Sequence, residues 1–469
     1  MGDPVRIGWD ALASGAAGQA DGAAVEVEGY LAPFEPAAEA SYLALTAEPG
    51  CCAGCLPRDT ALRIEVFAAA PMRIGGGKVR VAGTWRVLTG DPAGWRYQLR
   101  DARAVATGFS RRHLLARAPL VCVGLAAGTG AGCAQSAVSD AAARAAIADM
   151  PTTDVHSHAG KLTGVRRVRE NAPFTPVAAP MRAGGMAVVC LAVVSDSPTH
   201  HVVDGRIHPF RDPAPGELYE YTQAGFARLH ALVAAQALGV VTTAAGLDAA
   251  RADAPSIVVA SEGGDFLEGR PERVDEAYER WQLRHLQLTH YRPNELGDIQ
   301  TEPPVHGGLT DAGAEVIRRC NRRGVVVDVA HGTFDLVKRA AAVTTKPLVL
   351  SHTSLIGHPS RHSRLISPDH ARAIAGTGGV IGIWPPRARF PDLDALALGM
   401  AAMVDVAGID HVALGTDMGG LVGPSVFTGY DDLPELSRAL LARGFGRDDV
   451  RKLLGLNYRR VFAASMAGA

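Results

Sequence analysis

Two textures of apolar and polar positions divide the chain. Over residues 1–107 they alternate with a period of two in short runs, Ala24 to Leu31, Ala61 to Phe67, Lys78 to Trp85 and Trp95 to Leu99, each closed by turn residues. Such a period puts successive side chains on opposite faces of a strand, so the region is expected to form a small antiparallel β-barrel of OB-like size. After residue 150 the runs become continuously apolar: Met186 to Val194, Ser256 to Ala260, Leu286 to Thr289, Gly324 to Ala330, Pro347 to Ser351, Gly378 to Trp384 and His411 to Gly415. Helical patterns such as Asp311 to Arg323 and Ser367 to Gly376 lie between most of them. Strands buried on both faces and alternating with helices make a parallel sheet, and about eight repeats favour a (β/α)8 barrel over 151–469.

The stretch 108–150 is a boundary of a different kind. Ser110-Arg111-Arg112-His113 precedes a Gly/Ala-rich apolar run from Ala118 to Gly132, followed by Cys133-Ala134-Gln135. A twin arginine, a short apolar core and small residues beyond it are the layout of a bacterial twin-arginine export signal. About 109 residues stand before it. One reading is therefore a buried helix or linker; the others are a true start downstream of Met1, or a domain fused ahead of a signal or anchor. The export readings predict a periplasmic or membrane-associated protein attached through 110–135, and the linker reading a cytoplasmic one. Cys133 is a weak lipid acceptor, since Gly130 stands where a larger apolar residue is usual.

Composition narrows the chemistry. Forty-seven basic against 48 acidic side chains leave a net charge of −1, so no global field draws in nucleic acid or an anionic membrane. Seven cysteines in 469 residues do not make a disulfide scaffold. Cys51, Cys52 and Cys55 form a cluster suited to a metal, to redox exchange or simply to a turn, and no second cluster follows; we assign it no chemistry.

Candidate chemistry gathers at the ends of the apolar runs, where a barrel of this kind builds its site. The first strand ends in His156-Ser157-His158, whose imidazoles share one side of the strand and can chelate one ion. Others end in Glu262-Gly263-Gly264, Thr289-His290, Asp328-Val329-Ala330-His331, Ser351-His352 and Thr416-Asp417. Each alone is explicable as a cap or a core histidine. Six together make an imidazole and carboxylate site suited to zinc or a related divalent ion, with Glu262 placed to be shared by two cations.

These segments, with Gly308-Leu309-Thr310, Asn321-Arg322-Arg323-Gly324, Gly408-Ile409-Asp410-His411 and the ending Arg451 to Phe462, resemble the membrane (renal) dipeptidase family, peptidase family M19, over roughly 152 to 465. The resemblance implies a binuclear zinc hydrolase of the amidohydrolase type, acting on dipeptides and forming a homodimer. By it His156 and His158 bind one zinc, Glu262 bridges, and His331 and His352 bind the other. Asp417 matches the acid that handles the attacking water, His290 a histidine that contacts substrate or intermediate, and Arg364 an arginine for the substrate carboxylate, with Arg361 three residues earlier as its rival. His158 departs from the family, whose motif usually reads His-x-Asp. That exchange makes a metal-dependent amidase, lactonase or deacylase a second reading; a third, from another class, is a non-catalytic metal-scaffold binding protein, in which loss of ligands would be expected, whereas all five metal positions here remain ligand-competent. His200, His201 and His208, in a Pro-rich stretch, are expected as incidental surface residues, with an exposed lid as the alternative.

Overall fold

The computed structural model describes residues 4–33, 39–48, 57, 59–74, 77–88, 95–105, 138–161, 173–203, 206–355 and 364–468. The cysteine cluster 51–55, the twin-arginine segment 110–135 and Arg361 lie outside these residues. The chain forms two compact units, 1–135 and 136–469. Among the described residues no helix is long and apolar enough to cross a membrane.

The first unit is a sheet of β1 (Val5–Ile7), β2 (Ala24–Pro33), β3 (Glu39–Thr46), β4 (Arg63–Arg73), β5 (Val79–Val87) and β6 (Tyr97–Val105). Its order is β1-β2-β3-β4-β6-β5, and β5 also pairs with β2, closing a five-stranded barrel. The alternation is realised in β2, where Val25 and Val27 are buried while Glu28 is exposed. Trp85 is fully buried, stacks on Tyr97 at 5.2 Å and donates to Ala17 O at 3.0 Å. The barrel departs from the antiparallel expectation, because β4 and β6 run parallel and β1 lies parallel to β2. An odd number of strands cannot close with antiparallel neighbours alone.

In the second unit β7 (Thr153–Ser157), β8 (Val188–Val194), β12 (Ser256–Glu262), β13 (Leu283–Gln287), β14 (Val326–Asp328), β15 (Leu348–Thr353), β16 (Val380–Ile383) and β17 (Val412–Leu414) form a closed parallel barrel. A hairpin of β9 (His200–Val203) and β10 (Arg206–Pro209) follows β8, and the two-residue β11 (Gly239–Val240) flanks β12. Every residue of β7, β8, β13, β14, β15, β16 and β17 is buried, which is why β8, β16 and β17 read as unbroken apolar runs, whereas β7 and β13 bury Asp154, His156, Arg284, His285 and Gln287 among their apolar positions. Helix Asp311–Arg323 matches its sequence pattern at both ends, capped by Thr310, whose side chain accepts from Gly313 N, and stopped by Gly324 at φ 71°.

The lower part of the barrel is filled by Val188, Val258, Val326, Val349 and Val380 and sealed by Tyr458, Val461 and Phe462 of helix Asn457–Met466. Where β16 and the end of β17 cross β15 the backbones approach very closely: a Cβ on Gly382 or Gly415 would stand 1.8 Å from Ser351 O.

Candidate metal centre

All the strand-end residues picked out by sequence converge on one buried point. His156 on β7 and His158 just beyond it turn their Nε2 atoms toward each other at 3.1 Å. His331, three residues past β14, and His352 on β15 do the same at 3.0 Å. Two nitrogens bound at about 2.0–2.1 Å to one tetrahedral ion stand roughly 3.3 Å apart, so each imidazole pair has the spacing of a chelating pair. Glu262, the last residue of β12, lies between them. Its Oε1 is 3.4 Å from His156 Nε2 and 3.3 Å from both His331 Nε2 and His352 Nε2, and its Oε2 is 3.0 Å from His158 Nε2. Asp417 Oδ1 stands 3.5 Å from His158 Nε2. The donors thus form two groups, His156, His158, Glu262 and Asp417, and Glu262, His331 and His352, with the carboxylate common to both.

The backbone is bent to make this possible. His331 and Asp417 both adopt left-handed conformations, at φ 67° and 48°, which a non-glycine residue holds only where its surroundings enforce it. Two of the outer ring nitrogens are also engaged: His158 Nδ1 meets Ala192 O at 3.0 Å and His352 Nδ1 meets Ser351 Oγ at 2.8 Å, while His331 Nδ1 is buried without a partner. Partners of this kind aim the inner nitrogen at an ion.

Electrostatics favours the ligand forms of His331, His352 and Glu262, while Glu262 raises His156 against the effect of burial. Burial, then the neighbouring His156, push His352 down to about 3, and burial with Arg364 holds His331 well below its usual range, so both imidazoles are neutral donors. Burial opposes ionisation of Glu262, but His290, His156 and His158 outweigh it and keep the carboxyl well below the ordinary range. Asp417 is raised, by burial and then by Glu262. The donor set of imidazoles and carboxylates, buried and facing inward, therefore fits a pair of divalent ions.

His290 brings Nε2 to 3.2 Å from Glu262 Oε2, while its Nδ1 is held by Asp196 at 2.6 Å. Arg364 lines the same cleft, with Nη1 donating to Gln300 Oε1 at 3.0 Å and Nη2 to His352 O at 3.4 Å. The histidine-rich stretch corrects one expectation. His201 is exposed and His208 pairs with Glu302 at 2.9 Å, but His200 is buried, 3.3 Å from Asp196, and lines the cleft. A Pro-rich sequence reads as surface, yet the short helix Ser197–Thr199 turns His200 back against His290. Asp196, Tyr291 and Trp384, in or behind the cleft, are absent from the candidates the sequence offers; Asp196 alone carries a signal, as an acid two residues beyond an apolar strand.

Fold and donor set together define a (β/α)8 barrel with a candidate binuclear metal centre at the carboxyl ends of its strands. The chain belongs to the membrane dipeptidase family (peptidase family M19), whose profile matches residues 141–467. It is 32% identical over 193 residues to the dipeptidase aclJ of Aspergillus oryzae, covering 39% of this chain and 46% of that protein. It is 30% identical over 187 residues to the dipeptidase verJ of Clonostachys rogersoniana, covering 38% of this chain and 47% of that protein. The chain thus spans about half the length of these relatives. Among solved structures, the probable dipeptidase PvdM of Pseudomonas aeruginosa shares its fold at a TM-score of 0.59 and 17% identity, over 70% of this chain and 99% of that one. So does a metallo peptidase from Rhodobacter sphaeroides liganded with a phosphinate mimic of L-Ala-D-Ala, at 0.56 and 19%, over 67% and 99%.

Proposed function

We propose that the protein is a binuclear zinc dipeptidase that hydrolyses the amide of dipeptide-like substrates. The observation that carries the reading is the Glu262 carboxylate set between two facing imidazole pairs. His156, His158, Glu262 and Asp417 would hold one ion, and Glu262, His331 and His352 the other. When bound, such a pair supplies Lewis acidity and a water acidified toward neutral pH.

The chain's own groups do the rest. Asp417, whose Oδ1 stands 3.5 Å from His158 Nε2 beside the shared carboxylate, takes the proton of the attacking water and returns it to the leaving amine. His290 presents Nε2 where the oxyanion develops, and Asp196 fixes its ring. The Arg364 fork matches a terminal carboxylate, and burial around the centre excludes competing water.

Metal quantification beside a dipeptide panel tests the reading. About two equivalents of zinc and turnover of short dipeptides, including ones with a D-residue at the second position, are expected, with Glu262→Gln lowering kcat/KM by at least about 100-fold. Wild-type rates in a Glu262→Gln protein that keeps its metal would sink it. His158 favours a second reading, an amidase, lactonase or deacylase, because a neutral ligand replaces an acid beside the scissile bond; turnover of such substrates with none of dipeptides, reversed in His158→Asp, is its signature. Export through the twin-arginine-like segment is proposed from sequence alone, and an intact chain confined to the soluble cytoplasmic fraction overturns it.

A further inference from the structure

The same hydrogen-bonding device occurs twice inside the barrel, each time directly beneath a pair of proposed ligands. Asp154 stands opposite Leu414 in the β7/β17 ladder. Its Oδ1 accepts from the N–H of His156 at 3.3 Å and of Thr416 at 2.9 Å, each two residues beyond the paired position. Asp328 stands opposite Val349 in the β14/β15 ladder. Its Oδ1 accepts from the N–H of Ala330 at 2.9 Å and of Ser351 at 3.1 Å, again two residues beyond. The second oxygens are also held, that of Asp154 by Thr416 Oγ1 at 2.5 Å and Tyr430 Oη at 3.1 Å, that of Asp328 by His285 Nε2 at 3.2 Å. Both aspartates are fully buried.

The residues tied down in this way are the ligands or their immediate neighbours. Asp154 fixes His156 itself and the residue before Asp417; Asp328 fixes the residue before His331 and the residue before His352. Past the last ladder bond, a strand-end N–H facing the lumen has no partner on the next strand, and a buried N–H without an acceptor is unfavourable. A single carboxylate oxygen accepting from two neighbouring strands satisfies both donors and sets the separation of those strand ends. Neither aspartate reaches the reacting atoms.

We infer that Asp154 and Asp328 are positioning residues, each assigned to one metal site: Asp154 to the site of His156, His158 and Asp417, and Asp328 to the site of His331 and His352. The inference rests on the binuclear reading above, and a wild-type protein that binds no zinc would overturn that reading rather than the division of labour.

The test is zinc titration of the chelator-treated full chain, with bound equivalents counted and the unfolding midpoint of each metal-free variant recorded. Asp328→Ala is expected to weaken one of two equivalents by about 10–100-fold and leave the other unchanged. Asp328→Asn, whose amide oxygen can still accept both N–H groups, stays within about threefold of wild type. Double variants assign the site, because groups acting on one ion are not additive. Asp328→Ala with His352→Ala retains one tight equivalent, whereas Asp154→Ala with His352→Ala retains none. Equal weakening of both equivalents in Asp328→Ala, loss of zinc in a folded Asp328→Asn, or identical behaviour of the two double variants would overturn the assignment. If the alanine variants do not fold, the two asparagine variants keep the assignment falsifiable, because loss of either equivalent in a folded asparagine variant overturns it.

Discussion

Behind the cleft, Asp196 and His290 meet with Oδ1 and Nδ1 2.6 Å apart. Asp196 is fully buried and also accepts from Tyr291 N at 3.0 Å. Burial works against a charged His290, yet Asp196 and Glu262 raise it to about 9. The proton on Nδ1 is thereby fixed, and Nε2 faces the centre. Asp196→Asn disturbs this orientation without touching the ligands. We expect kcat to fall roughly 10–100-fold with KM and zinc content unchanged, as steady-state kinetics beside metal analysis would show. A fall in zinc content instead would make Asp196 part of the metal site.

Metal removal has a predictable effect on stability. The donors come from five strands or their ends and meet only in the folded chain, so ions bind the native state and stabilise it by about 2.7 kcal/mol each at a hundredfold excess over Kd. Chelation should lower the unfolding midpoint by roughly 5–10 °C, and zinc should restore it. Unchanged midpoints in scanning calorimetry would argue against a preformed centre.

At the floor of the barrel Tyr458 Oη lies 3.0 Å from His285 Nδ1, and His285 in turn contacts Asp328. Tyr458→Phe keeps the packing but leaves the imidazole nitrogen unpartnered in a dry interior. A loss of about 1–2 kcal/mol in urea unfolding is expected, with zinc still bound at two equivalents.

Two glycines contrast sharply. Gly415→Ala drives a methyl group into Ser351 O and displaces the turn that carries Asp417, so a loss of at least about 3 kcal/mol and of activity is expected. Gly376→Ala, at the end of helix Pro368–Gly376 with nothing within 4 Å of the added carbon, should be neutral or stabilising by up to about 1 kcal/mol. Equilibrium unfolding of the two variants decides both.

Much of the barrel could be read from the chain because strands buried on both faces leave long apolar runs, and the centre because its ligands sit where those runs end. Glu262 needed no coordinates: an acid closing an apolar strand demands a partner. Other features depend on partners distant in sequence. Asp154 is visible only as a charge inside β7, and nothing near it announces that its acceptor serves Thr416 across the seam. His200 looked solvent-facing because its neighbours are turn residues, and only packing against Asp196 and His290 brings it inside. In the first unit, β3 escaped the pattern, and the parallel β4/β6 pair follows from closure, which local alternation does not encode.

The seam between β7 and β17 has a further consequence. Leu414 pairs with Asp154 across it, Met418 bridges Ser157 just beyond, and the helix that seals the floor comes later still, at Asn457–Met466. On the ribosome, a nascent chain holding His156, Glu262, His331 and His352 already outside the exit tunnel would still lack its eighth stave and its bottom plug. The cavity that gathers those side chains thus closes only after β17 and that helix have emerged, later than the strands that carry His156, Glu262, His331 and His352.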